Sequence, residues 1–166
     1  MQIEYLKTDE VVPYENNPRN NDGEAVDRVA ASIKEYGFKV PIIIDKDNVI
    51  VTGHTRLKAA KQLELKQVPV IRVDDLTPEQ IKAYRIADNR ISEYATWNNE
   101  LLAIELSELQ DLDFDLELTG FEEWELDNLL NPVSYEDLQD FFVDKEDKPK
   151  EPKMITCPHC GERFEQ

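Results

Sequence analysis

The sequence predicts an α+β fold: a small mixed sheet with helices, then a helical acidic extension and a short Cys-x-x-Cys tail. Two patterns carry this expectation. Short apolar runs at 40–44, 49–52 and 68–73 alternate with amphipathic stretches at 24–36, 55–65 and 77–91, a succession of strands and helices. Charge then divides the chain. Of the net −17 over 166 residues, residues 1–93 carry −2, residues 94–144 carry −15 with no Lys or Arg, and residues 145–166 carry 0. The expected organisation is therefore a domain at 1–93, an acidic helical extension at 94–143, a linker at 144–153 and a tail at 154–166.

Ile3, Tyr5 and Leu6 predict a first strand, and Val11 and Val12 an extended lead-in. The run PYENNPRNN at 13–21 has loop chemistry, with two prolines and several asparagines. Ala25, Val26, Val29, Ala30 and Ile33 recur at helical spacing, and Gly37 stops that helix. Val40–Ile44 reads as a buried strand that turns at Lys46–Asn48 and pairs with Val49–Thr52. Gly53 ends the hairpin. Thr55–Leu65 is a helix with Leu57, Ala59, Ala60 and Leu63 facing inward. After a strand at Val68–Val73, Thr77 caps a helix with Pro78 at its first position. In the acidic segment, Leu101, Leu102, Ile104, Leu106 and Leu109 predict one helix, and Trp124–Leu130 a second. Tyr135, Leu138, Phe141 and Phe142 predict a third. These helices are expected to pack through Leu101, Ile104, Leu109, Trp124 and Leu130, with Trp97, Phe114 and Phe121 in the core. The acidic face is read first as a solvated surface and second as a partner surface or duplex mimic. DKEDKPKEPK at 144–153 reads as a solvated linker.

Several classes are disfavoured. No apolar run approaches the roughly 18 residues of a membrane span. The N-terminus MQIEYLKTDE lacks a basic region followed by an apolar one, and two cysteines make no disulfide framework, so a cytoplasmic protein is expected. The acidity argues against a nucleic-acid coat.

Gly53-His54-Thr55-Arg56 stands where a strand turns into a helix. Glycine there lets a ligand approach the backbone, the first amides of the helix attract an anion, and Thr55 and Arg56 add a hydroxyl and a forked cation. The chemistry is that of a phosphate pocket; His54 reads equally as a plain turn residue. Asp88 and Asn89 near a helix end could hold a hard cation through oxygen, or Asn89 could cap the helix while Arg90 favours its dipole. Glu15 and Glu35 are further carboxylates, and Glu35 falls on a polar helix face.

PYENNPR, VAASIKEYGFKVPIII and VIVTGHTRLKAAKQLELKQVPVIRVDDLTPEQIKAYRIADNR follow one another in an order that resembles the N-terminal domain of the ParB/sulfiredoxin superfamily, over roughly residues 5–93. The resemblance implies a nucleoside-triphosphate site, for CTP or ATP with Mg²⁺. Asn17 and Arg19 would close over the nucleotide, and Gly53, His54, Thr55 and Arg56 would meet its phosphates. Asp88 and Asn89 would serve the metal, the phosphates and any catalysis.

The chain also departs from the pattern. Partition proteins of the superfamily carry Gly-Glu-Arg-Arg at the corner, so one phosphate-binding Arg is replaced by Thr55. Their Glu-Asn-x-x-Arg has become Asp88-Asn89-Arg90-Ile91-Ser92, leaving Arg90 as the candidate for the missing distal Arg. His54 occupies the position of the sulfiredoxin cysteine, which argues against that activity. Without a cation from 94 to 144, the helix-turn-helix DNA reader of partition proteins is read as absent and replaced, which disfavours direct sequence-specific DNA binding.

What remains resembles short ParB-like proteins of phages and mobile elements, often found beside DNA methyltransferases and labelled ParB-like nucleases. The stretch LDFDLELTGFEEWELDNLL resembles the tail of such proteins. The expected function is nucleotide binding in phage or mobile-element DNA metabolism, with slow hydrolysis as a switch. The alternatives are an acidic interaction protein that binds or inhibits a DNA-acting enzyme, such as a methyltransferase or terminase, and a DNA nuclease or methylation accessory.

The tail TCPHCG reads as a zinc knuckle: the tight turn aims Cys157 and Cys160 at one ion, while His159 points elsewhere. Zinc takes four ligands. Two chains could each supply a knuckle and so form a homodimer, a second knuckle could lie downstream, or the pair could be a redox dithiol.

Overall fold

The computed structural model describes residues 2–20, 23–132, 154–156 and 159–165. Residues Met1–Leu130 form one compact unit and Asn131–Gln166 a second.

The first unit is built on a four-stranded sheet in the order β1-β4-β2-β3, from β1 (Ile3–Lys7), β2 (Ile42–Ile44), β3 (Ile50–Thr52) and β4 (Gln67–Arg72). β1 runs antiparallel to β4 with Ile3 opposite Ile71 and Lys7 opposite Gln67. β2 runs parallel to β4, with Ile42 opposite Val70, and antiparallel to β3, with Ile44 opposite Ile50. The sheet is thus mixed, as the sequence predicts. Val12 extends it by one parallel bridge to Val49.

The helices are α1 (Glu24–Tyr36), α2 (His54–Gln62), α3 (Pro78–Ser92), α4 (Asn99–Asp111) and α5 (Glu123–Leu130), with 3-10 turns at Thr8–Glu10 and Leu116–Thr119. α1 has the predicted bounds and ends at Gly37, whose φ of +79° lies where side chains are strained. α2 stops at Gln62 rather than Leu65, because Glu64 turns the chain at φ +54°. Thr77 and Gln80 cap α3 reciprocally: the Gln80 amide donates to Thr77 Oγ1 at 3.3 Å and the Thr77 amide to Gln80 Oε1 at 2.8 Å.

The core lies between the sheet and α2. Ile42, Ile44, Ile50, Val68 and Val70 from the strands close on Leu57 and Ala60, all fully buried or nearly so. Behind them Val26 and Ala30 of α1 meet Ala59 of α2. Burial of this kind contributes roughly 1.5–3 kcal/mol per large apolar side chain.

Helices α4 and α5 belong to the same unit. Arg28 of α1 ties them down: it pairs with Glu122, its Nη1 donates to the Gly120 carbonyl, and its Nε donates to Glu24 Oε1 at 3.1 Å. Their packing differs from expectation. Leu106 and Leu126 are buried, but Leu101 and Ile104 are 62% and 54% exposed, and Trp97 and Trp124 are also exposed. Trp97 meets Phe121 at its edge, with ring centroids 5.7 Å apart. The physical reason is geometric. Leucines cover much of the circumference of α4, and one neighbouring surface can bury only one side of it.

In the second unit β5 (Met154–Thr156) pairs antiparallel with β6 (Arg163–Glu165), Met154 opposite Glu165. Cys160 is exposed and Gly161 has φ +77°. Cys157, the helix expected at 135–142 and the linker at 144–153 lie outside the described residues.

Candidate functional site

A cleft of about 500 Å³ opens at the end of β3, where Gly53 turns the chain into α2. Gly53 takes φ +108°, and a Cβ there would stand 3.4 Å from the Ile42 Cα and from Arg56 Nη1. The corner therefore needs glycine for conformation and leaves little room for anything larger. No side chain caps α2, so its first amides and the positive end of its dipole face the cleft.

Of the residues predicted for the site, Asn17, Arg19, Gly53, His54, Thr55, Arg56, Asp88 and Asn89 all line this cleft. Three separated segments supply them: the 13–20 loop, the β3–α2 corner and α3. Arg90 is not among the lining residues. It turns outward, with Nη1 2.5 Å from Glu93 Oε2 and its guanidinium over the Tyr94 ring at 4.9 Å. Helical geometry is the reason, since Arg90 stands about 100° round the helix from Asn89.

The loop and α3 are joined across the opening. Arg19 Nη1 donates to Asn89 Oδ1 at 2.9 Å, and Asn89 Nδ2 donates to the Arg85 carbonyl at 2.8 Å. Asn89 thus lies inside the helix and is no αL cap. Within the loop, Asn17 Nδ2 donates to the Arg19 carbonyl at 3.1 Å. At the corner, the Tyr14 amide donates to His54 Nε2 at 3.2 Å, which requires that nitrogen to be unprotonated. Burial, reinforced by Arg85 and Lys58, holds the His54 pKa below its ordinary value.

Arg85 was not singled out from the sequence, and it proves to be an organising side chain. It is 11% exposed, donates from Nε to the Ile50 carbonyl at 3.0 Å, pairs with Asp45 at 3.5 Å and stacks over Tyr14 at 3.9 Å. The available signal was spacing: Arg85 precedes Asp88 and Asn89 by three and four residues and so shares their helix face.

Among the described residues, Arg19, Arg56 and Arg85 oppose a single lining carboxylate, Asp88. Burial lowers the Arg56 pKa and Asp88 partly restores it. Among the described residues Arg56 makes no hydrogen bond or ion pair, so its donors are free for a ligand. The described residues hold no cluster of three His, Cys, Asp or Glu suited to a metal. Among the described lining residues Asp88 fits the role of one oxygen ligand to Mg²⁺, since that ion commonly takes one or two carboxylates and completes its shell with phosphate and water. Asn89 Oδ1 is already engaged by Arg19. None of the helices among the described residues is long and apolar enough to cross a membrane.

The family profile of the ParB N-terminal domain matches residues 1–89, and that of the ParB-methyltransferase HTH domain matches residues 100–158. Over 80 residues the chain is 39% identical to the ParB-like nuclease domain-containing protein YnaK of Escherichia coli strain K12, a match covering 48% of this chain and 92% of YnaK. It is 33% identical over 92 residues to the probable chromosome-partitioning protein ParB of Campylobacter jejuni, covering 53% of this chain but only 33% of that protein. Among solved structures, the C-terminally truncated chromosome-partitioning protein ParB from Caulobacter crescentus complexed with CTP-gamma-S shares the fold. Its TM-score is 0.63 at 20% identity, over 78% of this chain and 77% of that one.

The second profile corrects one expectation. The acidic segment was read as replacing a helix-turn-helix, yet most of it falls within a match to such a domain. Charge is a poor guide to such a match because the spacing of apolar residues, which acidic residues on a helix surface leave intact, reports on packing. The matched residues place the first half of the molecule without ambiguity: the chain belongs to the ParB N-terminal domain family.

Proposed function

We propose that the cleft binds a nucleoside triphosphate, with CTP the first candidate and ATP the second. One observation carries this reading: the uncapped N-terminus of α2 and the unengaged guanidinium of Arg56 converge on one polar cleft with Arg19 and Arg85. Phosphate suits such a site because each oxygen gains a charge-assisted bond from donors already in place. The CTP-gamma-S complex of the Caulobacter protein supports the choice of CTP. In this reading Gly53, Thr55 and Arg56 hold the phosphates, while Asn17 and Arg19 close the loop. Asp88 holds Mg²⁺ and, in slow hydrolysis, orders the attacking water.

Calorimetric titration with CTP and ATP, with and without Mg²⁺, tests it, with released phosphate assayed alongside. Binding by the wild-type protein that Arg56→Ala weakens by tenfold or more is the expected result. Absence of binding, or equal binding by the variant, would sink the reading.

A role beside DNA methylation is the second reading, supported by the match of residues 100–158 to the ParB-methyltransferase HTH domain. For the tail we propose a zinc ion shared by two chains. The β5–β6 pairing supports this, because it brings together the two ends of the segment that carries the C-P-x-C-G motif. Elemental analysis would then find about half a zinc per chain, in keeping with two thiolates from each partner and four ligands per ion.

A further inference from the structure

The outward face of α4 combines two groups that rarely share a free surface. At about 100° per residue, Leu101, Ile104, Glu105 and Glu108 fall within an arc of about 100°, with the buried Leu106 on the far side and Leu112 at the C-cap. Leu101, Ile104 and Leu112 are 62%, 54% and 78% exposed. Among the described residues neither Glu105 nor Glu108 has a hydrogen bond or ion pair. Three large apolar side chains therefore stand in water, interleaved with unneutralised carboxylates.

We propose that this face of α4 docks a basic protein surface, an apolar groove rimmed by Lys and Arg. Charge selects the occupant. A second copy of this chain would bring two acidic faces together, and like charges in contact oppose association. Residues 133–144 of the chain add four acids and no cation, so they share the same repulsion. DNA is excluded on the same ground. A surface rimmed by Lys and Arg, of the kind nucleic-acid-binding proteins carry, pairs with Glu105 and Glu108 while its groove takes Leu101 and Ile104. The apolar anchors supply affinity and the carboxylates supply orientation and rate of encounter.

The test uses the full-length protein and two synthetic helical peptides of equal positive charge. One carries a leucine stripe and the other has serine in its place, and binding is read by fluorescence anisotropy. Tighter binding of the leucine peptide is expected. Leu101→Ser with Ile104→Ser should weaken it roughly tenfold or more, the loss expected of interface anchors. Glu105→Gln with Glu108→Gln should slow association and flatten the salt dependence. Because these side chains are exposed, unchanged circular dichroism would show that the variants fold. Equal affinity for the two peptides, or indifference to the leucine variants, overturns the proposal. So does self-association that those variants abolish, which would make the occupant a second copy, and so does a wild-type protein that binds neither peptide. Nucleotide binding is measured separately and stands or falls independently.

Discussion

Two helices wall the cleft, and they are held in place by different physics. α2 buries Leu57, Ala59 and Ala60 against the sheet and α1. α3, among its described residues, buries no side chain fully. Its apolar side chains Ile81, Tyr84 and Ala87 are only half-buried, and directional polar contacts join it to its neighbours: Arg85 to the Ile50 carbonyl and Asp45 of the sheet, and Asn89 to Arg19 of the loop. The β3–α2 corner is thus preorganised by apolar packing that no ligand needs to build. The opposite wall, which carries Asp88 and Asn89, rests on half-buried side chains and a few directional contacts that a ligand could strengthen or replace. Regions with little buried apolar surface open at lower free energy than the core.

Breaking the stronger wall should have the largest effect. Leu57→Ala removes a core side chain at the base of the corner and should cost about 2–5 kcal/mol of global stability in chemical denaturation. An unchanged midpoint would show that the corner is not held by the core. Arg85→Ala should come next, at roughly 1–3 kcal/mol, by leaving the Ile50 carbonyl and Asp45 without their partner. Its sharper signature is local: α3 amides should exchange with deuterium faster while those of α2 keep their protection. Uniform acceleration across both helices would show that the two walls are held alike.

A pH series probes the corner from the loop side. The His54 pKa is lowered in the fold, so below about its ordinary value of 6.5 the unfolded chain takes up a proton that the folded chain resists. Stability should therefore fall as pH drops through that window and gain nothing from this group above it. His54→Gln keeps an acceptor for the Tyr14 amide and should show a shallower loss than wild type over the same range. Parallel curves would remove His54 from the account. The smallest effect is expected at Arg90, whose outward pairing with Glu93 is a surface contact worth about 0–1 kcal/mol. Arg90→Ala should leave nucleotide affinity within twofold of wild type, in contrast with Arg56→Ala.

Much of the fold was legible before any coordinate. The bounds of α1, the hairpin of β2 and β3, and the Thr77 cap follow from periodicity, turn residues and capping chemistry, all of which act within a few residues. So does the Gly53 corner, because a strand, a glycine and a helix in succession leave few conformations. Of the three expected acidic helices, α4 and α5 fall where periodicity puts them and the third lies outside the described residues, while Leu101, Ile104 and Trp124 face solvent rather than the core. A helix with leucines on several sides does not declare which side meets a neighbour. The match of residues 100–158 to a helix-turn-helix profile is hidden from charge for a related reason: charge reports on the surface, whereas the spacing of apolar residues reports on packing.

The sequence by itself determined the order of strands and helices from β1 to α5, the glycine at the β3–α2 corner and the segregation of charge beyond residue 93. These are local or compositional properties, settled by backbone sterics and by which residues are adjacent. Tertiary structure alone decided that Asn17, Arg19, Arg56 and Asp88 face one cleft, that Arg85 pins its wall, and that Arg90 looks away. Those outcomes depend on how α3 and the 13–20 loop lie across the end of β3. That arrangement is set by contacts between residues up to 70 positions apart, such as Arg19 and Asn89. No periodicity in a single chain encodes which distant side chains will share a surface.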